Sequence, residues 1–252
     1  MSMTAEQMVP PQEPAAHRRR GWWPFLRDVL VIVLIAVVVS FLVKTFVVRS
    51  FYIPSGSMQQ TLQIEDRILV DELSPRFGGY DRGDVVVFRD PGGWLPVTPE
   101  PERAPLAAAV DAAMGFIGLS APDSKDHLIK RIVGLPGDRV VCCNVLGQLT
   151  VNGVPIDEKP YLNLLAGENA PKVVEFDVVV PEGSLWVLGD NRDHSRDSRY
   201  NVDQPGKGFV PIENVVGRAF LITWPLDRLG LIDGQHDVFA GIPSSDPEST
   251  EP

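Results

Sequence analysis

Positive charge is scarce in this sequence once its first residues are passed. The 252 residues carry 23 Lys and Arg against 33 Asp and Glu, a net charge of −10. Residues 1–49 hold six of the basic side chains and three of the acidic ones, which leaves −13 for residues 50–252. A domain that acidic repels phosphate backbones, which argues against nucleic acid as a partner. Cysteine is nearly absent, and the only two, Cys142 and Cys143, are adjacent. Neighbouring strand residues point to opposite faces, so a bond between them demands a strained ring. They read as free packing cysteines, although an oxidising exterior would favour a bond. Histidine is sparse too: His17, His127, His194 and His236 are all there are. No internal repeat is present.

A long apolar run stands out against this background. From Val29 to Val43 every residue but Ser40 is apolar, with neither the polar stripe of a surface helix nor the alternation of a strand. Those residues reach only about 22 Å as a helix, short of a hydrocarbon core near 30 Å. Phe46, Val47 and Val48 lengthen the span to about 20 residues once Lys44 snorkels to the interface. Arg18, Arg19, Arg20 and Arg27 precede the run, and Trp22 and Trp23 suit the interfacial belt. The positive-inside rule then puts the N-terminus in the cytoplasm and the remainder outside. A cleaved signal peptide and a buried core helix compete with this reading. Lys44 to Arg49 offers no small-residue cleavage site, and a core helix leaves the arginines and tryptophans without a purpose. Residues 1–24 read as a basic, largely disordered cytoplasmic segment, 25–48 as a transmembrane helix, and 49–229 as an extracytoplasmic domain.

That domain reads as mainly β. Val85 to Phe88, Leu128 to Val133, Arg139 to Cys142, Val173 to Val180, Leu185 to Leu188 and Val215 to Thr223 are short apolar runs bounded by Gly, Pro and Asp. Asn152-Gly153 between Val151 and Val154 is a hairpin signal, because a type I′ turn needs positive φ at both central residues. An antiparallel barrel or sandwich follows. Pro91 to Pro122 interrupts the pattern and reads as an insertion with one helix around Leu106 to Met114. Residues 230–252 read as a tail that is disordered in large part.

Three polar segments carry the chemistry. Pro54-Ser55-Gly56-Ser57-Met58 lies a few residues past the apolar run, and an extended chain of about 3.3–3.6 Å per residue keeps Ser57 within roughly 30 Å of its end. Such a serine is ordinarily a turn residue; as a nucleophile it needs a base and oxyanion donors. Of the histidines, only His127 and His194 lie where a triad could use them. Lys130 is the other base. It shares a strand face with Leu128 and Ile132, and burial of an ammonium lowers its pKa. The bland alternative is a lysine on a solvated strand edge. The third segment, Gly189 to Arg199, packs amide, hydroxyl and charged groups directly after an apolar strand, as a loop bonded to itself.

In order along the chain, Pro54-Ser55-Gly56-Ser57-Met58 with Thr61-Leu62, Arg82 to Phe88, Lys130 to Asp138, and Gly189 to Asp193 with Ser195, Asp197, Ser198 and Arg199 closely resemble type I signal peptidase. The similarity runs from about Phe25 to Trp224. It implies an antiparallel β-sheet catalytic domain behind a single transmembrane helix, on a serine endopeptidase that removes signal peptides after Ala-x-Ala sites. By resemblance Ser57 is the nucleophile and Lys130 the general base. Ser55 completes the oxyanion hole with the Ser57 N–H, Ser195 orients the lysine, and Asp197 with Arg199 forms a supporting ion pair. Ile53, Pro54, Met58, Leu62, Leu128 and Ile129 match pocket-lining positions. No metal or organic cofactor is implied. The implied partners are preprotein signal peptides and the lipid bilayer, close to the export machinery. Gln60 and Leu128 depart from the pattern, where relatives commonly have Pro and an aromatic; His194 stands where Asn is common. A conjugation or pilus peptidase, a repressor-type autoprotease and a non-catalytic membrane-tethered β module are the alternatives.

Overall fold

The computed structural model describes residues 22–46, 48–96, 126–163 and 174–243. The chain divides into two units, 1–42 and 43–252. Helix α1 (Trp22–Phe46), most of which makes up the first unit, is an uninterrupted helix of about 37 Å at 1.5 Å per residue. Its segment Trp22–Ser40 is long and apolar enough to cross a membrane, and its apolar side chains face outward, Leu30 at 65% and Ile32 at 66% exposure. A soluble protein would bury such a surface.

The second unit is built on two antiparallel sheets. The strands are β1 (Val48–Tyr52), β2 (Arg67–Asp71), β3 (Val85–Arg89), β4 (His127–Gly134), β5 (Arg139–Cys142), β6 (Thr150–Val151), β7 (Val154–Pro155), β8 (Phe176–Val179), β9 (Ser184–Leu188), β10 (Val210–Pro211), β11 (Val215–Trp224) and β12 (Gly230–Leu231). The larger sheet runs β1-β2-β11-β3-β4-β9-β10 with β12 beside β11, and the smaller runs β7-β6-β5-β8. The continuous apolar run of β3 places it at the centre: Val85 to Phe88 are all buried, as a strand covered on both faces requires. Asn152 and Gly153 both have positive φ, 51° and 79°, and join β6 to β7 as the Asn-Gly pair predicts.

Three apolar clusters make the core. One gathers Phe51, Ile53, Met58, Leu62, Ile68, Val70, Val85, Val87 and Ile129. A second joins the small sheet to Trp186, Phe239 and Ile242, and a third holds Val86, Phe88, Trp94, Ile132 and Val187. Each fully buried side chain of this size contributes roughly 1.5–3 kcal/mol.

Three expectations need comment. The C-terminal tail starts later than residue 230, because β12 pairs with β11 and Phe239 and Ile242 are drawn into the second cluster. Cys142 and Cys143 are not free thiols: a disulfide joins them. Strand β5 ends at Cys142, so the alternation that argued against this bond does not reach Cys143. The helix expected at 106–114 lies outside the described residues, as does most of its insertion.

Candidate active site

The segment between β1 and β2 makes a tight 3-10 turn, Gly56–Met58, whose register is fixed from both ends. Ile53 exchanges backbone bonds with Asp66 and Glu65, and Met58 and Leu62 anchor it in the core without exposed surface. Ser57 is thereby held at 6% exposure. Strand β4 delivers Lys130 to it. Lys130 Nζ lies 2.7 Å from Ser57 Oγ and donates to the carbonyl of Ile129 at 2.7 Å. The two residues are 73 apart in sequence, so only the sheet makes them a pair.

Burial sets the chemistry of this lysine. Desolvation pushes its pKa down from 10.5 to about 8, against the opposing pull of the Asp197 and Asp190 carboxylates. At pH 7 roughly a tenth of the population then has a lone pair on Nζ, the form able to take a proton from a hydroxyl. Each carboxylate has its own arginine, which limits its pull on Lys130. Asp197 accepts from Arg199 Nε and Nη2, both at 2.8 Å. Asp190 accepts from Arg131 Nε and Nη2, both at 2.9 Å. Arg131 alternates with Lys130 along β4 and is 1% exposed. It also donates to the carbonyls of Gly83 and Gly234 and stacks over Tyr161 at 4.4 Å, binding the motif loop to the C-terminal segment.

The polar loop after β9 packs on the serine turn. Gly189 N–H donates to Asp197 Oδ2 at 3.0 Å. Asn191 N–H donates to the carbonyl of Ser57 at 3.0 Å, and Asn191 Nδ2 donates to the carbonyl of Gly56 at 3.1 Å. Thr61 donates to Asp190 at 2.5 Å. Ser198 Oγ accepts from Val187 N–H, pinning the loop to β9. Arg192 and Glu158 form a buried ion pair, to which Tyr161 donates at 2.6 Å.

The structure sorts the residues picked out in the sequence. Ser57, Lys130, Asp197 and Arg199 come together. Ser55 sits at the exposed edge with its hydroxyl 3.5 Å from Ser57 Oγ. Ser195 is buried beside Gly189, but its hydroxyl makes no hydrogen bond among the described residues; the bond to Lys130 that the resemblance implies is not formed, since Nζ is turned to Ser57 and Ile129. Ile53, Met58, Leu62 and Ile129 share one cluster. Leu128 points to the other face and packs against the third cluster, and Pro54 is exposed. His127 opens β4 with its ring 5.3 Å from Phe51, and His194 makes a loop contact to Asn191. Arg131, Gly189 and Asn191 had no role from sequence. Alternation along β4 sets Arg131 on the face opposite Lys130, but nothing local indicates that Asn191 reaches a carbonyl 135 residues earlier.

The family model described as signal peptidase, peptidase S26, matches residues 26–224. The chain is 43% identical over 225 residues to signal peptidase I of Mycobacterium tuberculosis (strain CDC 1551 / Oshkosh), covering 82% of this chain and 75% of that protein. It is 35% identical over 256 residues to a probable signal peptidase I of Mycobacterium leprae (strain TN), covering 90% and 83%. A solved signal peptidase I from Enterococcus faecalis V583 is similar at 25% identity, covering 55% of this chain and 95% of that one, with a TM-score of 0.33.

Proposed function

The chain belongs to the signal peptidase family S26, and from that premise we propose that Ser57 is its nucleophile and Lys130 its general base. The protein is a serine peptidase that cleaves signal peptides from preproteins, carried on an N-terminal membrane anchor. The observation that supports the residue assignment is the 2.7 Å contact between Lys130 Nζ and Ser57 Oγ in a buried site. Neutral Nζ takes the hydroxyl proton as Oγ attacks the scissile carbonyl, and returns it to the leaving amine as the C–N bond breaks. Water then attacks the acyl-enzyme with Lys130 again as base. The Ser57 N–H and the Ser55 hydroxyl, which lies at the open edge of the site, receive the oxyanion. Asp197 with Arg199 keeps the polar loop in place behind the dyad.

Substrate enters as a strand. Strand β3 covers one edge of β4 from His127 onward, whereas β9 covers the other only from Arg131. Among the described residues, the stretch from Leu128 to Lys130 therefore has no partner strand on one edge beside the dyad, a site for an extended peptide. Ile53 and Ile129, backed by the fully buried Met58 and Leu62, form the apolar wall next to Ser57, with Pro54 as rim. Such a wall admits small side chains and gives the Ala-x-Ala preference. The catalytic unit begins at about residue 49, the anchor spans 25–48, and its arginine-flanked start lies in the cytoplasm. The bond to be cut then emerges on the outer side of the bilayer, beside the export machinery that delivers it.

The test is cleavage of a preprotein with an Ala-x-Ala site by the full chain purified in detergent. One cut after the second Ala is expected, and no cut when that Ala is replaced by Phe. Absence of cleavage at the parent site would sink the reading. Widening the wall with Ile129→Ala is expected to raise kcat/KM about tenfold for a substrate carrying Leu in place of the first Ala, because one or two methylenes in such a pocket are worth roughly 1–3 kcal/mol. An unchanged preference would remove Ile129 from the pocket.

A further inference from the structure

The direction of the Ser57 N–H is set by a group that does not touch substrate. A peptide unit is planar and trans, so the Gly56 carbonyl and the Ser57 N–H lie in one plane and point opposite ways. Whatever fixes the Gly56 oxygen fixes the Ser57 donor. That oxygen accepts from Gln59 N–H within the turn at 3.1 Å and from Asn191 Nδ2 at 3.1 Å. The next peptide plane is held by the same residue, since Asn191 N–H donates to the Ser57 carbonyl at 3.0 Å. Asn191 thus grips both peptide units flanking the nucleophile, and it does so from a buried position, 4% exposed.

The amide of Asn191 is itself oriented. Nδ2 faces two acceptors, the Gly56 carbonyl and Gln59 Oε1 at 3.0 Å, so Oδ1 must be the atom turned the other way, 3.2 Å from His194 Nδ1. An amide oxygen only accepts. His194 therefore carries its hydrogen on Nδ1, a condition met by one neutral tautomer and by the imidazolium alike. The His194 N–H in turn donates to the Asn191 carbonyl at 3.1 Å, closing a short turn that keeps the two side chains together.

We propose that Asn191, oriented by His194, is a positioning residue for the oxyanion hole, aiming the Ser57 N–H at the developing negative charge. The proposal rests on the reading of Ser57 as nucleophile. An oxyanion donor acts through geometry, and misdirecting it affects the transition state while leaving the ground state alone. Asn191→Ala keeps the backbone bond to Ser57 but releases the Gly56 oxygen to the turn alone.

The experiment uses the full chain in detergent with three ligands: a preprotein substrate, a peptide aldehyde ending in Ala-x-Ala, and the same peptide with a reduced, uncleavable amide. Ser57 Oγ adds to the aldehyde carbon while its proton passes to Lys130, and the aldehyde oxygen becomes the oxyanion; the reduced amide has no such oxygen. For Asn191→Ala, kcat is expected to fall about 30-fold with KM within about twofold, a loss smaller than the 10²–10³ of deleting an oxyanion donor. Aldehyde affinity is expected to fall by the same factor, and affinity for the reduced amide and the acid limb of the pH profile to stay as in the parent. His194→Phe is expected to show a smaller loss of the same kind, and His194→Asn, which keeps an N–H donor, to recover it. Parent-like kcat and aldehyde affinity in Asn191→Ala would overturn the proposal, as would equal loss of affinity for both peptides. Cleavage that survives Ser57→Ala would instead overturn the nucleophile assignment on which the proposal stands.

Discussion

Lys130→Met is expected to give a folded protein with kcat lowered by about 10²–10⁴, the worth of a positioned acid–base group. Methionine keeps the length and apolar stem of the lysine and removes the lone pair. Lys130→Arg is expected to be equally inactive, because a guanidinium cannot be deprotonated at working pH. Ser57→Ala removes the other half of the pair and is expected to be no more active than the double variant, since groups that act as a unit are not additive. Band shifts of a preprotein on a gel, followed over hours, resolve such losses. A Lys130→Met protein retaining more than about a tenth of parental kcat would remove the lysine from the proposed mechanism.

The same lysine makes the activity and stability of the protein depend on pH in ways that can be told apart. Its active form is the neutral amine, so kcat/KM is expected to rise about tenfold per pH unit and to level near pH 8, where burial has brought its pKa. A limb near 10 would mean a solvated ammonium. For stability the folded value lies below the unfolded 10.5. Below pH 8 both states hold the proton and the full penalty of a buried ammonium applies. Between 8 and 10.5 the native state has lost the proton and the unfolded state keeps it, so stability rises with pH by roughly 3 kcal/mol in total. At pH 7 Lys130→Met relieves that penalty and removes the Lys130 donor from Ser57 Oγ and the Ile129 carbonyl, at about 1 kcal/mol each. Its melting temperature is therefore expected to be no lower than the parent's. On the proposed mechanism the buried lysine lowers stability in the same protonation range in which it serves as base.

Most of the architecture could be read from local pattern, and the site only in part. The apolar runs of β3, β4, β9 and β11 lie in the structure within two residues of where periodicity places them, because each is bounded by Gly, Pro or Asp. β1 and β2 escaped notice: Val48–Tyr52 and Arg67–Asp71 mix charge with apolar residues, and only pairing with each other and β11 makes them strands. Lys130 was legible from its apolar strand neighbours. Its link to Ser57 was not, since a contact across 73 residues has no local signature and entered only through family resemblance. The disulfide between Cys142 and Cys143 is not legible from strand alternation, because β5 ends at Cys142 and the rule does not apply to the pair. Arg131, whose donors reach Asp190, Thr61, Gly83 and Gly234, shows the general difficulty: alternation assigns a face, and only the assembled fold decides what meets it there.

Gly189→Ala is expected to lower kcat by about 10²–10³ although the backbone at Gly189 is not left-handed and a side chain is conformationally allowed. Space is what the position lacks. A Cβ at Gly189 would lie 2.5 Å from the Ser57 carbonyl oxygen and 2.5 Å from Ser195 Cβ, with Ser195 Oγ closer still. The Ser195 hydroxyl can turn aside, but the Ser57 carbonyl is backbone and the Ser195 Cβ is fixed to its own main chain, so neither can swing away. The Gly189 N–H is bound to Asp197, which Arg199 holds in turn, so the methyl cannot be relieved by moving the loop outward without breaking that pair. The Ser57 carbonyl must yield, and it is tied to Asn191 N–H. A shift near 1 Å at the nucleophile costs roughly 10²-fold by misalignment alone, and it also lengthens the 2.7 Å contact to Lys130. Overpacking of this size costs about 1–3 kcal/mol of stability, too little to unfold the domain, so kcat is expected to fall far more than the melting temperature. Ser195→Gly in the same chain opens part of the volume and is expected to recover some of the lost activity. A Gly189→Ala enzyme with parental kcat would show that the serine turn and the polar loop move freely past each other, and the close packing behind Ser57 would lose its place in the mechanism.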